Sequence, residues 1–136
     1  MATNIDGCVR EILDNGHCIL PDQFPRPLLE QCNKDFQPIL EDISRRIPDG
    51  NRGTHRWANG LAFGPPFYHS EFFNNDTVIE ITSRILGEGM HISAFGMDTP
   101  IKGSEYQGIH ADIPFMFPED PNLQHPPVTL SVRFTF

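Results

Sequence analysis

The apolar positions follow two different periods, one in each half of the chain. Ile5, Val9, Ile12 and Leu13 recur at helical spacing, and Asn15-Gly16 supplies a stop, which predicts a short amphipathic helix. "HCILP" reads as a short strand closed by Pro21-Asp22. From Pro27 a second stripe runs through Leu28, Leu29, Cys32, Phe36, Ile39, Leu40, Ile43 and Ile47. That spacing predicts a long helix, with a kink or a break at Pro38, which has no N–H to donate. "HRWANGLAF" reads as an irregular strand and "GPPFYHSEFFNND" as a loop with one helical turn. Thr77 to Glu80 has the spacing of a capping box. It is expected to open a helix through Val78, Ile81, Ile85 and Leu86, ended by Gly87.

After Gly89 the period becomes two. Met90, Ile92 and Ala94 alternate with His91, Ser93 and Phe95, and Ile109, Ala111 and Ile113 alternate with His110 and Asp112. "DTPIKGSEYQG" lies between them as a loop. In "VTLSVRFTF", Val128, Leu130, Val132, Phe134 and Phe136 share one face of an expected strand. Helices over 1–89 followed by strands over 90–136 make an α+β order within one domain. The alternation is unbroken at Phe136, which predicts a truncated chain whose fold continues, and an open strand edge suited to self-association.

Composition narrows the function. A length of 136 residues suits a single core. A net charge of −8 argues against a phosphate-backbone partner and against an anionic membrane surface. No stretch approaches the roughly 18 apolar residues of a spanning helix, and the N-terminus lacks a signal-peptide layout. A cytoplasmic protein is the expectation. Cys8, Cys18 and Cys32 are widely spaced, which fits small apolar residues in a reducing compartment better than a zinc site.

The candidate chemistry sits in "YQGIHADIPF". On a strand, residues two apart point the same way, so His110 and Asp112 would aim an imidazole nitrogen and a carboxylate oxygen at one point. That donor pair suits Fe(II), Mn(II) or Zn(II), and it supplies two of the three ligands of a non-haem Fe(II) facial triad. A histidine simply hydrogen-bonded to a neighbouring aspartate is the competing reading of the same tripeptide. His17, His55, His69 and His91 read as ordinary loop or strand histidines, and the phenylalanines as core anchors, with Phe115 and Phe117 placed to line a pocket mouth.

From about Val9 onward the chain resembles the phytanoyl-CoA dioxygenase family of Fe(II)/2-oxoglutarate oxygenases. Four segments carry the likeness in order: "EILDNGHCILPDQFPRPLLEQC", "GTHRWANGLAF", "DTVIEITSRILGEG" and "YQGIHADIP". The last matches a Gln-x-x-His-x-Asp pattern. The resemblance implies N-terminal helices followed by the first strands of a double-stranded β-helix, the jelly-roll or cupin-like fold. It implies His110 and Asp112 as iron ligands, and Gln107 and Arg56 as contacts for 2-oxoglutarate. It implies an oxygenase that couples conversion of 2-oxoglutarate to succinate and CO2 with oxidation of a small organic substrate by dioxygen.

The chain departs from the family pattern after Asp112. The family's distal histidine and the basic residue beyond it lie farther downstream than the 24 residues that follow Asp112 here. His125 lies in the proline-flanked loop "NLQHPP", and Arg133 does not match the distal basic residue. Two further readings therefore stand beside the oxygenase: a non-catalytic remnant or interaction protein of the same fold, and a small cupin-like metalloprotein using His110, Asp112 and His125.

Overall fold

The computed structural model describes residues 3–110, 112–113, 119–120 and 129–135. The described elements, in order, are helix α1 (Ile5–Asn15), helix α2 (Arg26–Arg46), strand β1 (Arg56–Gly60), the single turn α3 (Ser70–Phe73), helix α4 (Asp76–Leu86) and strand β2 (Gly96–Pro100). Helices and one small antiparallel sheet make an α+β chain. Contacts divide it into two compact units: one draws on 1–23, 70–91 and 111–134, the other on 24–69, 92–110 and 135–136.

The first unit is built on α1 and α4, which pack together. Asn4 caps α1 by accepting the Gly7 N–H, and Gly16 ends it in the left-handed region at φ 80°. The capping box expected at Thr77 is not the start of α4. Asn75 is the cap instead, its carboxamide oxygen accepting the Val78 N–H at 3.0 Å while its amide donates to the Gln23 carbonyl. The helix therefore opens one residue before Thr77. Gly87 ends it with φ 81°, as the sequence predicts. Arg84 joins the two helices, donating to Asp6 of α1 and to Glu80 one turn earlier in α4. These two carboxylates hold the Arg84 guanidinium above its ordinary pKa, Glu80 first and Asp6 second. The pairs are solvent-exposed, so they orient the helices more than they stabilise them. Phe72 is buried and its ring stacks on Phe134 at 4.5 Å between centroids. Replacing Asn75 by alanine is expected to cost about 1 kcal/mol, read as a lower urea midpoint at unchanged slope.

The second unit is built on α2 and the sheet. Pro25 and Pro27 start α2, where a missing N–H leaves no helical bond unmade. The helix runs through Pro38 as one element rather than two. Lys34, whose carbonyl loses its helical donor to Pro38, is an exposed residue, where water can satisfy such a carbonyl. Cys32, Phe36 and Ile43 are the buried positions of the stripe, and Phe36 meets Phe67 edge-on at 6.4 Å.

β1 and β2 pair with Trp57 opposite Thr99 and Asn59 opposite Met97. The ladder continues one step at each end, through Leu61 N–H to Phe95 O and Ile101 N–H to His55 O. Trp57 is 3% exposed, and its indole N–H donates to the Ile47 carbonyl, 2.8 Å away, at the end of α2. The loop before β1 covers the strand's outer edge. Asn51 and Arg52 donate their backbone N–H groups to the Arg56 carbonyl. The Asn51 carboxamide accepts the Ala58 N–H at 2.8 Å and donates to the Ala58 carbonyl at 2.9 Å, as a neighbouring strand would.

Several expected strands are not present among the described residues. "HCILP" forms none, and 91–95 form none. The strand of this region is Gly96–Pro100 instead, within and just before the stretch that reads as a loop. Residues 109, 110, 112 and 113, and likewise 129–135, are not in strands. Alternation permits a strand, but a second backbone has to complete its hydrogen bonds, and β1 does so only for the segment that ends at Ile101.

Candidate functional site

Arg56 is the best-defined of the four sequence-derived site residues. It lies on β1, on the face opposite the buried Trp57, and its guanidinium grips Asp98 of β2 through Nε and Nη2. The Nε–Oδ1 distance is 2.8 Å. The pair is diagonal in the ladder, since Asp98 stands opposite Ala58. The Arg56 side chain is 13% exposed and that of Asp98 is 34% exposed. The hydrogen bonds to Asp98 raise the Arg56 pKa above its ordinary value, with Coulombic attraction adding to them and partial burial opposing. Two-point contact of this kind fixes a guanidinium plane. Arg56 could serve an incoming carboxylate only by exchanging Asp98 or by using its remaining Nη1. Asp98 was not legible as its partner: the two are 42 residues apart and only the sheet register joins them.

His55, one residue before β1, takes the left-handed conformation at φ 54°. Its ring lies so close to Gly103 that a methyl group there would come within 2.8 Å of the imidazole Nδ1. His55 is thereby part of the turn that seats β1 against the residues following β2, rather than a loose loop histidine.

Gln107 and His110 belong to the same unit and lie in an exposed segment that is neither helix nor strand. The Nδ1 of His110 stands 2.7 Å from the Gly108 carbonyl oxygen. A carbonyl only accepts, so Nδ1 carries the hydrogen, and in the neutral ring the lone pair is on Nε2. A backbone carbonyl behind the other ring nitrogen is the arrangement that orients metal-binding histidines. Asp112 is exposed, at a bend, and belongs to the other unit. The strand geometry that would aim His110 and Asp112 to one side is not found in the described residues of this stretch.

The donor set can be tested against a metal. His110 and Asp112 supply the right chemistry for two ligands of an Fe(II) triad. Among the described residues, no three His, Cys, Asp or Glu side chains gather where they could hold an ion. His125, Phe115, Phe117 and Phe136, which carry other expectations, lie outside the described residues. Arg133 is described and exposed. No described helix is long and apolar enough to cross a membrane. No family model, no curated protein and no solved structure matches the chain.

Proposed function

We propose that the chain is the N-terminal part of an Fe(II)- and 2-oxoglutarate-dependent dioxygenase of the phytanoyl-CoA dioxygenase type, with a jelly-roll core. The observation that carries this reading is the ordered set of four segments ending in Gln107-x-x-His110-x-Asp112. The α+β order of the described elements and the carbonyl behind His110 Nδ1 support it. His110, through Nε2, and Asp112, through its carboxylate, would hold Fe(II). Gln107, and Arg56 once exchanged from Asp98, would contact 2-oxoglutarate. Bound iron would supply activation of dioxygen for oxidation of a small organic substrate.

In this reading the work of the chain itself is orientation. The Gly108 carbonyl fixes the tautomer and the ring plane of His110. Asp98 occupies the two-point face of the Arg56 guanidinium and fixes its plane, so a planar carboxylate would bind there by taking the place of Asp98.

A second reading, an interaction protein of the same fold, is favoured by two side chains that flank Gln107 and His110. Tyr106 and Ile109 are fully exposed, at 105% and 109%.

Anaerobic Fe(II) titration by calorimetry separates the two readings. The oxygenase reading expects Fe(II) binding that His110→Ala and Asp112→Ala each weaken by about 10-fold or more, with no succinate formation required of this chain alone, since the family's distal histidine and basic residue lie beyond it in this reading. Equal Fe(II) affinity in wild type and both variants, or no binding in any of them, would reject it and leave the interaction reading.

A further inference from the structure

The sequence holds two Asn-Gly and two Asp-Gly pairs: Asp6-Gly7, Asn15-Gly16, Asp49-Gly50 and Asn59-Gly60. In each, the residue after the side-chain carbonyl has no Cβ, so its backbone nitrogen can turn toward that carbonyl with little steric resistance. The structure separates the pairs by what the glycine N–H does. Gly7 donates to the Asn4 carboxamide at 3.0 Å, Gly16 to the Ile12 carbonyl at 2.8 Å and Gly50 to the Ile47 carbonyl at 3.1 Å. Gly60 differs. In an antiparallel ladder the N–H groups point alternately toward the partner strand and away from it. Leu61 donates across to Phe95 and Ile101 to His55, so in this register Trp57 and Asn59 bond to β2 while Ala58 and Gly60 face outward. The Asn51 carboxamide occupies the outward groups of Ala58, not those of Gly60. Gly60 is exposed, and the Asn59 carboxamide lies beside it, Nδ2 donating to the Gly60 carbonyl at 3.2 Å. Gly96 stands opposite Gly60, so neither strand carries a side chain at this end of the ladder and the backbone there turns easily.

We propose that Asn59 is a site of spontaneous deamidation, with the Gly60 backbone nitrogen as nucleophile and water as co-reactant. The Gly60 nitrogen attacks Asn59 Cγ. The N–Cγ bond forms, the Cγ–Nδ2 bond breaks, and Nδ2 leaves as ammonia with the hydrogen of the Gly60 N–H. The product is a cyclic succinimide. Water then opens the ring: attack at Cγ leaves aspartate, and attack at the Asn59 main-chain carbonyl leaves isoaspartate, with the chain now running through Cγ. Nothing is oxidised or reduced; a carboxamide and a water become a carboxylic acid and ammonia. Asn59 is half-buried and shares the Trp57 face of β1, so the new carboxylate puts a negative charge on that face. Isoaspartate also lengthens the main chain by a carbon, which takes the Leu61 N–H out of step with the Phe95 carbonyl and loosens the end of the sheet.

The experiment incubates the whole chain, native by circular dichroism, at mildly alkaline pH and maps the products by peptide mass. Isoaspartate is told from aspartate by enzymatic transfer of a labelled methyl group from S-adenosylmethionine to the isoaspartyl carboxylate. Asn59 is expected to convert about 10-fold faster than Asn15, whose Gly16 N–H must first leave the Ile12 carbonyl. In concentrated urea, which releases both glycines, the two rates should converge. Gly60→Ala is the second variant: a methyl group at Gly60 meets nothing within 4 Å, and Gly60 is not among the left-handed glycines, so the fold should hold. Its Cβ should slow conversion at Asn59 by about 10-fold. Conversion at Asn15 as fast as at Asn59 in the native chain, product at Asn59 in urea but none in the native chain, or an unchanged rate in Gly60→Ala would each overturn the proposal.

Discussion

Gly50→Ala is expected to be the most damaging small substitution in the chain. Gly50 has φ 93°, and a methyl group there would lie 2.3 Å from the Gly53 carbonyl oxygen, 2.5 Å from the Arg56 carbonyl oxygen and 2.9 Å from the Arg56 nitrogen. Every one of those atoms is backbone, so no side chain can swing aside. The left-handed conformation costs an alanine about 1–2 kcal/mol, and the forced displacement of the loop adds about 1–3 kcal/mol. Gly53 supplies the control. Its φ is 111°, yet a methyl group there meets nothing within 4 Å, so Gly53→Ala should carry the conformational term alone. Urea unfolding followed by the fluorescence of the single tryptophan measures both. Equal midpoints for the two variants would mean that the loop around Gly50 is not as closed as described.

Trp57→Ala is expected to cost about 3–5 kcal/mol, a large share of the stability of a small unit. The indole is buried on the face of β1 that packs toward α2, and it also completes the end of that helix by donating to the Ile47 carbonyl. Trp57→Phe separates the two roles. It keeps most of the apolar contact and leaves the Ile47 carbonyl without its donor, for an expected loss of about 1–3 kcal/mol. Both variants lack the fluorophore, so far-ultraviolet circular dichroism against urea is the measurement. If Trp57→Phe proves as destabilising as Trp57→Ala, ring packing rather than the hydrogen bond joins strand to helix.

The helices were legible because each carries its own signal. α1 and α4 show their stripes and their closing glycines within about a dozen residues, and α2 shows its stripe despite Pro38. What a proline costs depends on whether water can reach the carbonyl it leaves behind, and the sequence does not show exposure. The strands were less legible. β1 was anticipated at Arg56, but Met90 to Phe95 alternates convincingly and forms no strand, while the unpromising "GMDTP" does. Pairing register, a long-range property, made that choice. The same limit applies to the site. The sequence nominates His110, Asp112, Gln107 and Arg56 by type and spacing, yet it carries no trace of Asp98 on Arg56, or of the Gly108 carbonyl on His110.

The carboxamide of Asn51 has a consequence for how this sheet can grow. By occupying both hydrogen-bonding groups of Ala58, it acts as a one-residue surrogate strand. With Asn51 and Arg52 also on the Arg56 carbonyl, the β1 margin is sealed against a further backbone. Extension is thereby made directional: any added strand, from this polypeptide or another, must dock alongside β2. A larger sheet built on this pair would grow outward from Gly96–Pro100, with the Asn51 side as its border.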